Sequence, residues 1–295
     1  MRAAPVMVLV ALLLLAGLAV LPQPVAAALV SPTFVGSSVD TTNYQTSTSV
    51  FSVSYTAVGA ANSLLIIQTF ANAAISAQSD WTYIISLTDN AGTPVFLRRE
   101  AASAATTDGS QEIWYLKSPV SGSHDFIATY NVINPNNGQP TNTVQGGMAV
   151  SEYANVDLTK FASSGYHWAS RAISVFTEQP NAQVAQTTST SDAVVDFYFT
   201  LESGTVSPNG TQSQRYNTIT SVPNLGNWGQ AASSTLYPGT LGPVDMGWTQ
   251  PVHGVLDTVY RWILFAIALP AATSVSDGGS APGVGGGGGG MFVPG

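Results

Sequence analysis

The 295-residue chain contains no cysteine. That absence excludes disulfide staples, thiolate nucleophiles and thiolate metal sites, so the fold must be held by a hydrophobic core large enough to stand alone. Charge is scarce as well: charged residues make up 8% of the chain, against about 25% in an ordinary soluble domain. Eight Lys and Arg stand against sixteen Asp and Glu, a formal net charge of −8. A chain so poor in cations is unsuited to nucleic acid, whose affinity comes largely from neutralised phosphates, and to anionic membrane surfaces. Short-spaced His pairs are missing too: His124, His167 and His253 are scattered, which gives no zinc motif. No G-x-S-x-G nucleophile elbow occurs, and Glu202-Ser203-Gly204 lacks its frame. No cofactor is therefore predicted. The one metal with candidate ligands is a structural calcium at Asp89-Asn90 and Asp108-Gly109, and turn formation alone accounts for both pairs.

What is present begins with a targeting pattern. Arg2 precedes an apolar stretch from Val6 to Leu21, Pro22 and Pro24 follow, and Ala26-Ala27-Ala28 supplies small residues. This predicts a signal peptide over residues 1–28 and a secreted or cell-surface protein, without a membrane partner once the segment is removed. The alternative is a retained N-terminal helix, since the run approaches the shortest spans of roughly 17 residues. No cluster of Lys or Arg follows to hold it in place. A second apolar run, Trp262 to Leu269, ends at Pro270. It is too short to cross a bilayer as a helix and reads as a central strand covered on both faces.

Period-two alternation dominates the rest. In "VFSVSYTA" (50–57), Phe51, Val53, Tyr55 and Ala57 fall on one face and Ser52, Ser54 and Thr56 on the other. Similar runs occur at 63–70, 82–88, 112–117, 125–133, 147–153 and 193–201, separated by Asn, Asp, Gly and Pro. The pattern predicts an all-β fold, an antiparallel β-sandwich of jelly-roll type over 29–271. Residues 272–295 are rich in Gly and predict a flexible tail.

Six segments in order, "SLLIIQTFANAA", "SLTDNAGTPVFLR", "EIWYLKSPVSGSHDFIATYN", "MAVSEYANVD", "AQTTSTSDAVVDFYF" and "RWILFAIALPAA", resemble a loosely defined family of secreted sandwich domains. Such domains belong to bacterial and archaeal surface proteins of uncharacterised function. The resemblance implies a sandwich fold over about residues 30–271 and brings no catalytic residues. Asn155 departs from the pattern, standing where a glycine usually follows "EY", and residues 158–182 and 203–260 are longer than usual.

Two facing carboxylates would be needed for glycoside hydrolysis. Glu112, Glu152, Asp192, Asp196 and Glu202 are the candidates, with Asp196 expected on a solvent face beside Tyr198. For binding, residues 204–259 carry Tyr216, Trp228, Tyr237, Trp248 and His253 among Pro, Gly, Asn and Gln with little alternation. That composition reads as long loops whose aromatics either contact glycans or pin the loop. Asn209-Gly210-Thr211 is a glycosylation sequon. The expected function is an exported, non-catalytic structural or adhesive protein whose partners are copies of itself or surface glycans. In its sharper form "ALVSPTFVGSSV" (28–39) is a strand donated to a neighbour's sheet, making filaments or pilus-like assemblies. The alternative is a lectin-like domain using the 204–259 aromatics, and a third reading is a glycan-active enzyme pairing Asp196 with Glu202 or Glu152.

Overall fold

The computed structural model describes residues 27–41, 50–74, 82–104, 107–133, 140–141, 145–162, 168–173, 181–200, 205–221, 228–249 and 262–274. Residues 1–26 of the expected signal peptide and residues 275–295 of the expected tail lie outside them, as do His167, Glu202 and His253. Among the described residues no helix is long and apolar enough to cross a membrane.

The described chain is almost entirely antiparallel β-structure. An inner sheet runs in the order β2 (Thr33–Asp40), β10 (Gln145–Ala154), β4 (Leu64–Ala74), β7 (Thr107–Lys117), β6 (Val95–Ala104). An outer sheet runs β3 (Val50–Ala57), β8 (Gly122–Ile133), β5 (Thr82–Asp89), with β9 (Pro140–Thr141) also on β8. The second part of the chain builds another inner sheet, β11 (Trp168–Ile173), β18 (Trp262–Leu269), β13 (Ala193–Thr200), β16 (Trp228–Leu236), β15 (Ser213–Ser221). Its outer sheet is β12 (Asn181–Thr187), β17 (Gly242–Thr249), β14 (Ser207–Pro208). Two short strands, β1 (Leu29–Val30) and β19 (Ala272–Thr273), lie at the ends.

These two lists have the same topology. Matching β2 to β11, β3 to β12, β4 to β13, β5 to β14, β6 to β15, β7 to β16, β8 to β17 and β10 to β18 carries both sheets of the first half onto those of the second, with the two-residue β9 unmatched. Local detail repeats as well. A bulge interrupts β6–β7 between Phe96 and Arg98, and another interrupts β15–β16 between Gln214 and Tyr216. Gly122 and Gly242 open β8 and β17 at φ of 126° and 121°, a backbone region that only glycine enters without strain. The molecule is thus an internal duplication of one β-sandwich.

Three cores follow from this arrangement. Phe51, Val53, Phe126 and Val150 fill the first sandwich, and Val194, Tyr198, Trp248 and Leu264 fill the second. Between the two inner sheets lies a third core with Leu64, Ile66, Phe70 and Ile113 from one half and Val195, Phe197, Ile263 and Phe265 from the other. The inner strands are therefore covered on both faces. This is why Leu64 through Ile67 and all eight residues of β18 are buried, and why the 262–269 run reads as uninterruptedly apolar.

Side chains tie the inner sheets across the third core. The Gln68 amide donates to the Tyr198 carbonyl at 3.1 Å, Gln111 donates to the Phe197 carbonyl at 3.0 Å, and the Tyr153 and Thr235 hydroxyls share a 3.1 Å bond. At one edge the Arg215 guanidinium lies 4.5 Å above the Phe34 ring. The chain segments leaving β10 and β18 also pair. Ala272 donates to Asn155, Val156 bridges Ala271, and Asp157 donates to Pro270. Leu29–Ala272 accordingly forms one compact unit.

Two expectations change here, and one departure is explained. Residues 204–259 contain β14, β15, β16 and β17 where loops were expected, because their buried positions are filled by small and hydroxyl side chains that hide the alternation. Asp108 and Gly109 are strand residues of β7, with Asp108 opposite Ala73 and Ser103, so they make no calcium-binding turn. Asn155 adopts φ of 60°, the left-handed conformation that favours glycine, which accounts for asparagine standing in a glycine position.

Candidate functional site

Three of the five carboxylates singled out for acid–base chemistry, Glu152, Asp192 and Asp196, are held by the chain's own donors. Asp196 projects from β13 into the second sandwich core and is fully buried, not on a solvent face. Its Oδ1 accepts the Ser234 backbone N–H at 2.6 Å and the Ser234 hydroxyl at 2.9 Å. Its Oδ2 accepts the Trp248 indole N–H at 2.9 Å and the Gln212 amide at 3.1 Å. Burial pushes this carboxyl up to about 7, against the pull of those four donors. Asp196 was misread because two of its partners, Gln212 and Trp248, come from distant sequence.

Glu152 on β10 is likewise buried. Its Oε2 accepts the Tyr55 hydroxyl at 2.9 Å and the Val58 N–H at 3.0 Å, and its Oε1 accepts the Ser63 hydroxyl at 2.7 Å. Asp192 caps the turn before β13, accepting from Thr188, Ser189 and Ala271. Each carboxylate locks strands or turns together, and a carboxylate saturated with internal donors is a poor proton shuttle. Asp89, one of the candidate calcium ligands, bonds His124 Nδ1 at 2.7 Å, and Asn90 bonds Asp125. Among the described residues no three His, Asp or Glu side chains cluster as a metal site.

Among the described side chains, the aromatic residues of 204–259 do not come together on a surface. Trp248 has no exposure and stacks on Tyr198 with ring centroids 5.6 Å apart. Tyr216 is buried in the third core, where its hydroxyl donates to Gln68. Both are core residues, which removes them from the predicted binding set. Trp228 opens β16 opposite Ser221, and its side chain lies outside the described residues. Of the three whose side chains are described, Tyr237 is the exposed one, at 44%. Asn209 is exposed in a turn whose Gly210 has φ of 57°, and its side-chain oxygen accepts the Thr249 hydroxyl at 2.7 Å.

A different cluster does present aromatic surface. Phe96 on the edge strand β6 is 48% exposed and meets the partly buried Trp114 of β7 edge-to-face, with centroids 5.1 Å apart. They are directly opposite in the ladder, so strand pairing fixes their separation. Two residues before Trp114 on the same strand lies buried Glu112, whose Oε2 accepts the Trp114 indole N–H at 3.1 Å. Its Oε1 stands 3.6 Å from Arg99 Nη1. Burial pushes Glu112 up to about 7, opposed by Arg99 and the indole bond. The "EIWY" run marks Glu112 and Trp114 in the sequence, but nothing local joins them to Phe96 and Arg99, which arrive through the β6–β7 hairpin.

No family model matches the chain, and neither the curated proteins nor the solved structures compared with it give a match.

Proposed function

We propose that this chain is an exported extracellular or cell-surface protein with a structural or adhesive role, acting by binding and not by catalysis. One observation carries this reading: the buried carboxylates Glu152, Asp192 and Asp196, candidates for acid–base chemistry, are taken up in holding strands and a turn together. The signal-like N-terminus and the resemblance to secreted sandwich domains support export. A duplicated fold with a shared core gives a rigid support without disulfides, and its low charge suits close contact with copies of itself or with glycans.

Strand addition takes a narrower form than residues 28–39 alone suggest. Thr33–Asp40 pairs with β10 of its own sheet, so a neighbour would have to add to the open side of β2, or displace it. Carbohydrate binding is the second reading, moved from the 204–259 region to the Phe96–Trp114 edge.

The test is expression of the full chain in an exporting host, followed by N-terminal sequencing, light scattering and electron microscopy across a concentration series. A new N-terminus close to Ala28 in the extracellular or surface fraction is expected. Retention of the uncleaved chain in the cytoplasm overturns export. Ordered oligomers or filaments would assign self-association, and a stable monomer would assign the role to ligand binding.

A further inference from the structure

The duplication allows the two halves to be compared position by position. Gln214 and Ser234 of β15 and β16 occupy the ladder positions that Phe96 and Trp114 hold in β6 and β7. In the second half Gln214 is exposed and polar, and the inner position, that of Trp114, is sealed. Ser234 is buried, its hydroxyl accepts the Gln212 amide at 2.7 Å, and Asp196 and Trp248 close over the same network. In the first half it is open: an exposed phenyl ring and a partly exposed indole stand beside Arg99, which is 39% exposed.

We propose that Phe96, Trp114 and Arg99 form a saccharide-binding site for neutral polysaccharide, with Glu112 as the residue that positions the indole and the guanidinium. This deepens the reading of the chain as an extracellular binding protein and rests on it. Two rings at a fixed angle offer apolar faces to the C–H faces of pyranose units, and the guanidinium donors reach ring hydroxyls. Neutral ligand is selected because the chain's net charge of −8 repels polyanions. Two rings bordered by an ion pair are too small and too polar for a protein interface, which needs roughly 800 Å² from each partner. Mounting on paired strands, and anchoring by a buried carboxylate, fix both groups before ligand arrives.

The experiment is affinity electrophoresis of the exported chain in gels containing soluble xylan, mixed-linkage β-glucan, galactomannan or alginate, with melting temperature measured for every variant. Retardation by at least one neutral polymer is expected. Phe96→Ala, a change at an exposed position, and Trp114→Ala should each weaken it about tenfold. Glu112→Gln should weaken it several-fold while its melting curve stays cooperative, and Trp248→Phe, buried in the other half, should leave it unchanged. Free migration of the wild-type chain through all three neutral polymers overturns the site. Retardation undiminished in Phe96→Ala also overturns it, and retardation by alginate alone overturns the ligand class. An exported chain that migrates freely leaves the extracellular reading standing, whereas failure of export removes that reading by itself.

Discussion

His124 is held between two acceptors. Its Nδ1 lies 2.7 Å from Asp89 Oδ2 and its Nε2 lies 2.9 Å from the Val120 carbonyl, so both bonds are made only when both nitrogens carry protons. Burial lowers its pKa, but the Asp89 bond, the Val120 carbonyl and the charges of Asp89 and Glu152 outweigh this and the net shift is upward. A folded pKa above the unfolded value of about 6.5 gives stability that is fully present below that value and lost as pH rises through the folded one. Glu112 and Asp196, raised to about 7 by burial, act in the same direction at lower pH, because the folded state then binds more protons. The melting temperature is therefore expected to fall from pH 6 to pH 9, and His124→Gln should flatten the alkaline part of that slope; an unchanged slope in the variant would separate His124 from the effect. Asp196 is the other decisive residue. Asp196→Ala leaves three buried donors, the Ser234 N–H, the Ser234 hydroxyl and the Trp248 indole, without this acceptor and should cost about 3–5 kcal/mol in a denaturant titration, with Asp196→Asn losing less.

At the scale of the strand, the paired glycines give a direct check on the duplication. An added Cβ at Gly122 or Gly242 meets no atom within 4 Å, so the cost of alanine is purely that of the backbone at φ near 120°. Gly122→Ala and Gly242→Ala should each lose about 1–3 kcal/mol with unchanged denaturant slopes, and a neutral outcome at either would contradict the turn geometry. Strands with one wet face were legible in the sequence: β3 alternates residue by residue between exposed and buried, as its Ser/Thr pattern foretold. The doubly covered strand β18 was legible as well, from its continuous apolar run. β16 was not, because Ser233, Ser234 and Thr235 are all buried and their hydroxyls find partners only after neighbouring strands arrive. Of the candidate site, Glu112 stood out locally as a candidate carboxylate, and Trp114 only as part of an alternating strand run. Phe96 and Arg99 did not, since a hairpin and a bulge decide which side chains become neighbours.

For the whole molecule, the shared core makes the halves thermodynamically dependent. Leu64, Ile66 and Phe70 find their cover in Val195, Phe199 and Phe265, so neither sandwich can unfold without exposing the other's inner face. Calorimetry of residues 29–274 is expected to give one transition with a ratio of calorimetric to van't Hoff enthalpy of about one. A chain cut after Asp157 should leave a first half that self-associates, seen by light scattering, because its apolar inner face seeks the surface it has lost. Two resolved transitions would show the halves to be independent.

The way the halves meet has a further consequence. The β2 edge lies by β15 and the β6 edge by β11, with β4 and β13 near the centre, which is the self-matching contact of a two-fold dimer carried within one polypeptide. In a true homodimer each substitution appears twice, and a change that opens a surface on one subunit opens it on both. Covalent joining lifts that constraint. One copy has closed over a buried aspartate while the other keeps its aromatic edge exposed, so stabilisation and recognition can be selected separately at the same address in the fold.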